Sequence, residues 1–249
     1  MSWIRTLAKD WLLSRNMVIS RPPGQFVVTP IKLRQIRDRG LKIGMAVDGG
    51  AATGEWTREF KNIYPDSQIL CIEPRSEAQP DLKKLASDFS GIHLAQTLIG
   101  ERTGPIEFHV NGDQSSMFQA LSGFVNDQKV TLEMTTLDAL IKKLQLPFPD
   151  LIKLDLQGAE LKALTGATEC LAHAQAVLLE LSFVPLRKDW PLIGDAIPFM
   201  KERGFVCYDI TGLWHRPLDG ALAQGDFVFL KQSNPLLADH RWSNDDLRS

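Results

Sequence analysis

Three cysteines among 249 residues, Cys71, Cys170 and Cys207, lie far apart with no C-x-x-C spacing, so neither a disulfide framework nor a thiolate zinc site is suggested. Cys71 and Cys207 sit in apolar runs, where a thiol reads as a small buried hydrophobe. Tyrosine is scarcer: only Tyr64 and Tyr208 occur, and neither has lysine four residues on, so the Tyr-x-x-x-Lys pair of one class of oxidoreductases is missing. No apolar run approaches the roughly 20 residues that cross a bilayer, and no short apolar stretch near the start ends in a small-residue cleavage site. The expected location is therefore the cytoplasm. An excess of either charge is also missing, since 28 Lys and Arg against 30 Asp and Glu leave −2, which argues against nucleic acid as partner. What remains is an ordinary globular composition, with 44% hydrophobic and 23% charged residues.

The charge is unevenly placed. Residues 1–40 hold eight Lys and Arg against Asp10 and Asp38, which leaves the remainder acidic. Trp3, Ile4, Leu7, Ala8, Trp11 and Leu12 recur at helical spacing and predict an amphipathic N-terminal helix. Its apolar face and basic flank suit packing on its own domain, a peripheral membrane surface or a dimer contact. After Arg21-Pro22-Pro23-Gly24, Thr29-Pro30 reads as an N-cap with Pro at the first helical position, and Gly40 closes a basic helix over 31–39. The expected organisation is a basic helical appendage over 1–40, a main domain over 41–233 and a tail over 234–249.

Within the main domain, short apolar strands alternate with helices, the mark of parallel βαβ units. Strands are expected at Met45–Val47, Gln68–Ile72, Ile92–Leu98, Leu151–Leu154, Ala176–Leu181, Phe205–Ile210 and Asp226–Leu230. Helices are expected at Glu55–Ile63, Asp81–Asp88, Leu137–Leu144, Glu160–Thr165 and Ile193–Arg203. Residues 100–135 read as an irregular insertion with an edge strand at Ile106–Val110. The fold class is α/β: a Rossmann-like, seven-stranded, mostly parallel sheet with helices on both faces. Its ligand belongs at the carboxyl ends of the strands.

The first strand ends in Asp48-Gly49-Gly50-Ala51-Ala52-Thr53-Gly54, and a helix beginning at Glu55 follows. Glycines allow positive φ and close approach of a ligand, and the helix start offers unpaired N–H groups. Glu55-Trp56 stand where a P-loop needs Lys and Ser or Thr, and the spacing is not that of a G-x-G-x-x-G fingerprint. The second strand ends in Glu73-Pro74, where an acid can accept hydrogen bonds from both ribose hydroxyls of a nucleoside. Asp48, Glu73 and the strand-end Asp155 put three acids around the cleft, with no Arg or Lys noted beside them. That set complements the sulfonium and ammonium of S-adenosylmethionine better than the pyrophosphate of NAD.

The stretch Ile152-Lys153-Leu154-Asp155-Leu156-Gln157-Gly158-Ala159-Glu160 through Gly166-Ala167 carries the most specific pattern. With Val47-Asp48-Gly49-Gly50, Ile72-Glu73-Pro74, Thr136-Leu137-Asp138 and Leu179-Glu180-Leu181-Ser182, it resembles the FkbM family of S-adenosylmethionine-dependent methyltransferases over roughly residues 44–231. The resemblance implies the class I methyltransferase fold, cofactor binding along Asp48, Gly49, Gly50, Ala51, Thr53 and Gly54, and Glu73 on the ribose. It implies methylation of a hydroxyl on a sugar, polysaccharide or natural-product acceptor. Ser115 and Ser116 look like the family's serine pair near cofactor or substrate. Residue 157 is Gln where many relatives have Glu, which removes one acid from the site.

Methyl transfer needs alignment first and a proton acceptor second. Asp155, Glu180 and His215 are the candidates for the base, with Asp155 also a candidate for the cofactor's ammonium. Glu160 and Asp138 read as helix-start acids. Carboxylates at neighbouring strand ends could hold Mg2+, although nothing in their spacing requires it. Trp190 and Trp214 are candidates for acceptor-pocket walls. The competing expectation is a non-catalytic nucleotide-binding module that docks a partner through its basic N-terminus.

Overall fold

Mostly apolar runs of four to seven residues need cover on both faces, and the centre of a parallel sheet supplies it. The computed structural model describes residues 12, 26–110, 115–118 and 128–241. The expected N-terminal amphipathic helix lies outside them, apart from Leu12. Five parallel strands form one side of the main sheet, out to the edge at β4: β2 (Met45–Gly49), β3 (Gln68–Ile72), β4 (Ile92–Ala95), β8 (Leu151–Leu154) and β9 (Ala176–Ser182). The antiparallel pair β10 (Phe205–His215) and β11 (Leu222–Lys231) completes the seven expected strands, and the two-residue β1 (Phe26–Val27) pairs with the outer edge of β10. The order is β1-β10-β11-β9-β8-β2-β3-β4. Strand order reverses between β2 and β8, so the crevice of an open α/β sheet falls there.

Side-chain alternation sorts the core into two layers. Val47, Ile152, Leu154, Leu179 and Phe227 face one layer with α4 (Leu137–Lys143), α5 (Glu160–Thr165), α6 (Thr168–His173) and α7 (Ile193–Glu202). Their strand neighbours Ala46, Leu151, Leu178 and Val228 face the other, against α1 (Thr29–Asp38) and α2 (Glu55–Ile63). A further helix, α3 (Gln79–Asp88), buries Leu82 beside Ala51 and Cys71.

Residues 26–43 are built into this body. Leu33, Ile36, Leu41 and Ile43 are core residues, each contributing on the order of 1.5–3 kcal/mol by burial. The structure therefore does not set residues 26–40 apart from the sheet. Thr29 is also not the cap of α1: the cap position is Val28, and the Thr29 hydroxyl instead reaches Thr211 Oγ1 at 3.0 Å and Asp226 Oδ2 at 3.2 Å. Three further expectations change. The strand expected over 92–98 breaks after Ala95, and β5 (Leu98–Ile99) joins a second sheet with β6 (Gly104–Val110) and β7 (Gln128–Thr135), in the order β5-β7-β6. The stretch expected to be irregular thus contains an eight-residue strand. Cys207 is exposed where β10 bulges, whereas Cys71 and Cys170 are buried. Among the described residues, no helix is long and apolar enough to cross a membrane.

Candidate active site

A cleft of about 380 Å³ opens across the carboxyl ends of β2, β3, β8 and β9. One side is the turn between β2 and α2. Gly50 and Ala51 both donate their backbone N–H to Ile72 O, and Ala52 takes φ 46°. Gly50 has φ +74°, and a Cβ there would lie 1.9 Å from Asp155 O, so the two loops meet backbone to backbone. Only glycine permits that approach. Gly50 and Ala52 line the cleft, whereas Gly49, Ala51, Thr53 and Gly54 shape the turn without lining it.

Asp48 lies beneath this turn and does not line the cleft. Its Oδ2 accepts from Thr57 Oγ1 at 2.7 Å, and its Oδ1 sits 3.0 Å from Lys153 Nζ. The two residues are direct neighbours in the register of β2 and β8, and Lys153 Nζ also donates to Gly50 O at 3.3 Å. Burial alone would lower the Lys153 pKa, but Asp48, Asp155 and Asp226 more than offset it and raise it above the ordinary lysine value. The ammonium therefore stays charged inside the fold and ties the glycine-rich turn to β8.

Glu73 ends β3 and is buried at the edge of the cleft. Its Oε2 accepts the Ala52 N–H at 2.9 Å, and its Oε1 accepts from Arg75 N at 3.1 Å and Arg75 Nε at 2.9 Å. Arg75 lines the cleft as well, so the acids of this site do have basic neighbours: Arg75 beside Glu73 and Lys153 beside Asp48.

The opposite wall holds the strand-end carboxylates. Asp155 follows β8 and Glu180 lies near the end of β9, and the Gln157 side chain spans them, donating Nε2 to Asp155 Oδ1 at 2.9 Å and to Glu180 Oε1 at 3.3 Å. Gln224 Nε2 donates to the same Glu180 oxygen at 2.6 Å, so the described bonds leave Oε2 without a protein donor. Burial, then Asp155, Asp226 and Glu160, raise the Glu180 pKa well above the carboxylate range, with Lys153 opposing. Asp226 stands directly across from Glu180 in the β9–β11 register, and burial followed by Asp155 pushes its carboxyl up to about 7. Glu160, by contrast, holds the turn: its Oε1 accepts from Leu156 N and Gly158 N at 2.6 and 3.2 Å.

The other candidates separate cleanly. Ser115 lines the cleft; Ser116 does not, but its hydroxyl donates to Gln157 O at 2.7 Å. His215 was expected on a loop that reaches the acceptor. It is instead the exposed last residue of β10, off the cleft, while Trp214 before it does line the cleft. Trp190 covers Gly158, whose Cβ would lie 2.8 Å from its ring, and is a packing residue. Asp138 caps the start of α6 rather than of its own helix, accepting from Glu169 N and Cys170 N, each at 2.9 Å. No three His, Cys, Asp or Glu side chains are arranged to hold a metal ion among the described residues, so the Mg2+ expectation goes no further.

Sequence reasoning took Lys153 only as part of the family's strand pattern and Gln157 only as the loss of an acid, and it passed over Arg75, Gln224 and Asp226. Lys153 and Arg75 stood two residues from acids already singled out. Asp226 carried no local signal, since strand pairing alone brings it opposite Glu180.

A Rossmann-like sheet with its cleft at the point of strand-order reversal, a glycine-rich turn on one side and an acid at the second strand's tip defines a doubly wound α/β fold of the nucleotide-binding class. Residues 48–207 match the family model described as the methyltransferase FkbM domain. That is more than half of the chain, which belongs to the FkbM methyltransferase family. The chain is similar to 2-O-methyltransferase NoeI of Sinorhizobium fredii (strain NBRC 101917 / NGR234), with 28% identity over 151 residues covering 55% of this chain and 62% of that protein. Among solved structures it is similar to methyltransferase FkbM from Methylobacillus flagellatus KT, with TM-score 0.49 and 18% identity over 84% of this chain and 48% of that one. It is also similar to the precorrin-6y C5,15-methyltransferase of Geobacter metallireducens GS-15, with TM-score 0.47 and 13% identity over 82% and 87% of the two chains. The chain thus spans less than two thirds of NoeI and about half of the Methylobacillus protein.

Proposed function

We propose that this protein is an S-adenosylmethionine-dependent O-methyltransferase whose acceptor is a hydroxyl of a sugar, polysaccharide or natural product. The observation that carries this reading is one cleft bordered at one side by Gly50, Ala52 and Glu73 and at the other by the bridged pair Asp155 and Glu180. Its volume of about 380 Å³ lies in the range of small-molecule sites. The similarity to NoeI, a 2-O-methyltransferase, supports oxygen as the target atom.

The donor set fits the cofactor. Glu73 Oε2 accepts a single described hydrogen bond, which leaves it a lone pair for a ribose hydroxyl. Ala52 and Gly50 bring main chain to the same edge, and Asp155 offers a carboxylate to an ammonium. Bound there, S-adenosylmethionine supplies an electrophilic methyl group. The chain's own task is to hold the acceptor oxygen in line and take its proton. Glu180 Oε2 is placed for the second part, since both described donors address Oε1. Its raised pKa makes the ionised carboxylate a stronger base, and a positioned base contributes about 10²–10⁴-fold.

Calorimetry with S-adenosylmethionine, S-adenosylhomocysteine and NAD tests the reading, with Glu73→Ala as control and thermal unfolding to confirm its fold. The expected result is micromolar binding of the two sulfur nucleosides, weakened about 10- to 100-fold in the variant by loss of a charge-assisted hydrogen bond. A preference for NAD, or no binding, overturns it. Binding with no methyl transfer to any hydroxyl of a glycan and natural-product panel favours the docking module instead.

A further inference from the structure

Gln157 is out of place by ordinary packing rules. It is a non-glycine residue at φ 51°, a left-handed conformation that costs a long side chain on the order of 1 kcal/mol or more. It is 9% exposed, and its Oε1 is buried without a hydrogen-bond partner among the described residues. Buried amides normally satisfy both ends, and strain of this kind gathers where function over-determines the conformation. With both acids ionised, the amide presents its nitrogen to them, because reversing it would set its oxygen against both carboxylates.

The geometry points to Gln157 as the positioning residue of the proton-accepting pair: its Nε2 clamps Asp155 and Glu180 in one arrangement, and Ser116, which bridges to His109 of β6, fixes Gln157 from the insertion. The clamp has three fixed points. Asp155 is anchored by its own N–H on Gly49 O at 3.0 Å, Glu180 by Gln224 at 2.6 Å, and the Gln157 carbonyl by the Ser116 hydroxyl at 2.7 Å. Ser116 Oγ in turn accepts the Phe118 N–H at 3.1 Å, and Arg187 Nη1 donates to Phe118 O at 2.9 Å. The insertion that flanks the cleft is thereby joined to the carboxylate pair through one side chain.

A glutamate at this position would set three carboxylates within one cluster, and like charges that close cannot all stay ionised. An amide avoids this while giving each acid a donor. Donation to a carboxylate favours its charged form, so the clamp holds Glu180 ready to ionise in spite of the groups around it. Those groups are Asp155 and Lys153 from β8 and its turn, Asp226 from β11 and Glu160 from α5.

The inference deepens the methyl-transfer reading, but its test does not need methyl transfer. Carbon-13 NMR of labelled glutamate carboxyls follows the Glu180 titration in the whole protein, assigned by Glu180→Gln. Gln157→Met has similar length and no donor, and is expected to move the Glu180 midpoint upward by about one pH unit. Ser116→Ala leaves the amide in place but frees its backbone, and is expected to move the midpoint in the same direction by less. It also covers the case in which Gln157→Met fails to fold. Where transfer is measured, the pH of half-maximal rate should follow the NMR midpoint in each variant. A Glu180 midpoint unmoved in the folded variants overturns the clamp, whatever the activity shows. Absence of S-adenosylhomocysteine binding in the unaltered protein overturns the methyltransferase reading and leaves the titration result standing.

Discussion

Replacing Lys153 by methionine isolates the buried ion pair beneath the glycine-rich turn. Lys153 Nζ lies 3.0 Å from Asp48 Oδ1, and the two side chains are 8% and 0% exposed. At an effective dielectric of about 20, Coulomb's law gives an attraction of roughly 5.5 kcal/mol at that distance. Methionine also forgoes the Gly50 O hydrogen bond, but it no longer has to desolvate an ammonium. The net expectation is a loss of about 3–5 kcal/mol, the usual cost of stranding one member of a buried pair. Urea unfolding followed by circular dichroism measures it. Because the cost comes from the stranded Asp48 charge, Asp48→Asn/Lys153→Met should recover much of the stability lost in Lys153→Met alone. A single variant that costs under about 1 kcal/mol, or a double variant no more stable than the single, would refute the claim that this pair holds the turn.

Two further predictions concern the same region. Gly50 and Gly220 share φ +74°, but a Cβ at Gly220 meets nothing within 4 Å, whereas one at Gly50 lies 1.9 Å from Asp155 O. Gly220→Ala should therefore cost about 1 kcal/mol and Gly50→Ala several times more, read as the difference in their thermal midpoints; equal costs would show that the loops do not meet as described. Glu160 is buried and its carboxyl is pushed from 4.5 up to about 7, chiefly by burial, with the Leu156 and Gly158 amides opposing. The folded state then holds this proton more tightly than the unfolded chain. Its contribution is fully present below about pH 4.5 and is lost as pH rises toward 7, by about 3 kcal/mol. Glu160→Gln keeps the acceptor and should flatten that slope in urea unfolding from pH 4.5 to 8; an unchanged slope would assign it to other groups.

The centre of the sheet was legible because residues buried on both faces are mostly apolar, as in Ile69–Ile72 of β3, even though β8 buries Lys153 among them. β7 was not read, although Val130, Leu132 and Met134 alternate with polar residues as a one-faced strand does. Its partner β6 is separated from it by residues 111–127, a connection far longer than the two to five residues of a usual hairpin loop, so no local signal pairs the two strands. Thr29 looked like a helix cap because Thr-Pro is a common start, and only the register of β10 and β11 reveals that its hydroxyl serves Thr211 and Asp226. The acids Glu73, Asp155 and Glu180 stood out because strand ends are local features. Their partners did not, since an amide reaching two carboxylates depends on a backbone twist at Gln157 that local propensity disfavours.

The insertion that carries the small sheet meets the strand-end turn through the hydroxyl of Ser116, which bridges to His109 of β6, and the two sheets share no strand. A joint of that kind lets the two sheets keep separate registers: the pairing of β8 with β9 that brings Asp155 beside Glu180 is set within the main sheet, and the insertion bears on this turn through the hydroxyl of Ser116.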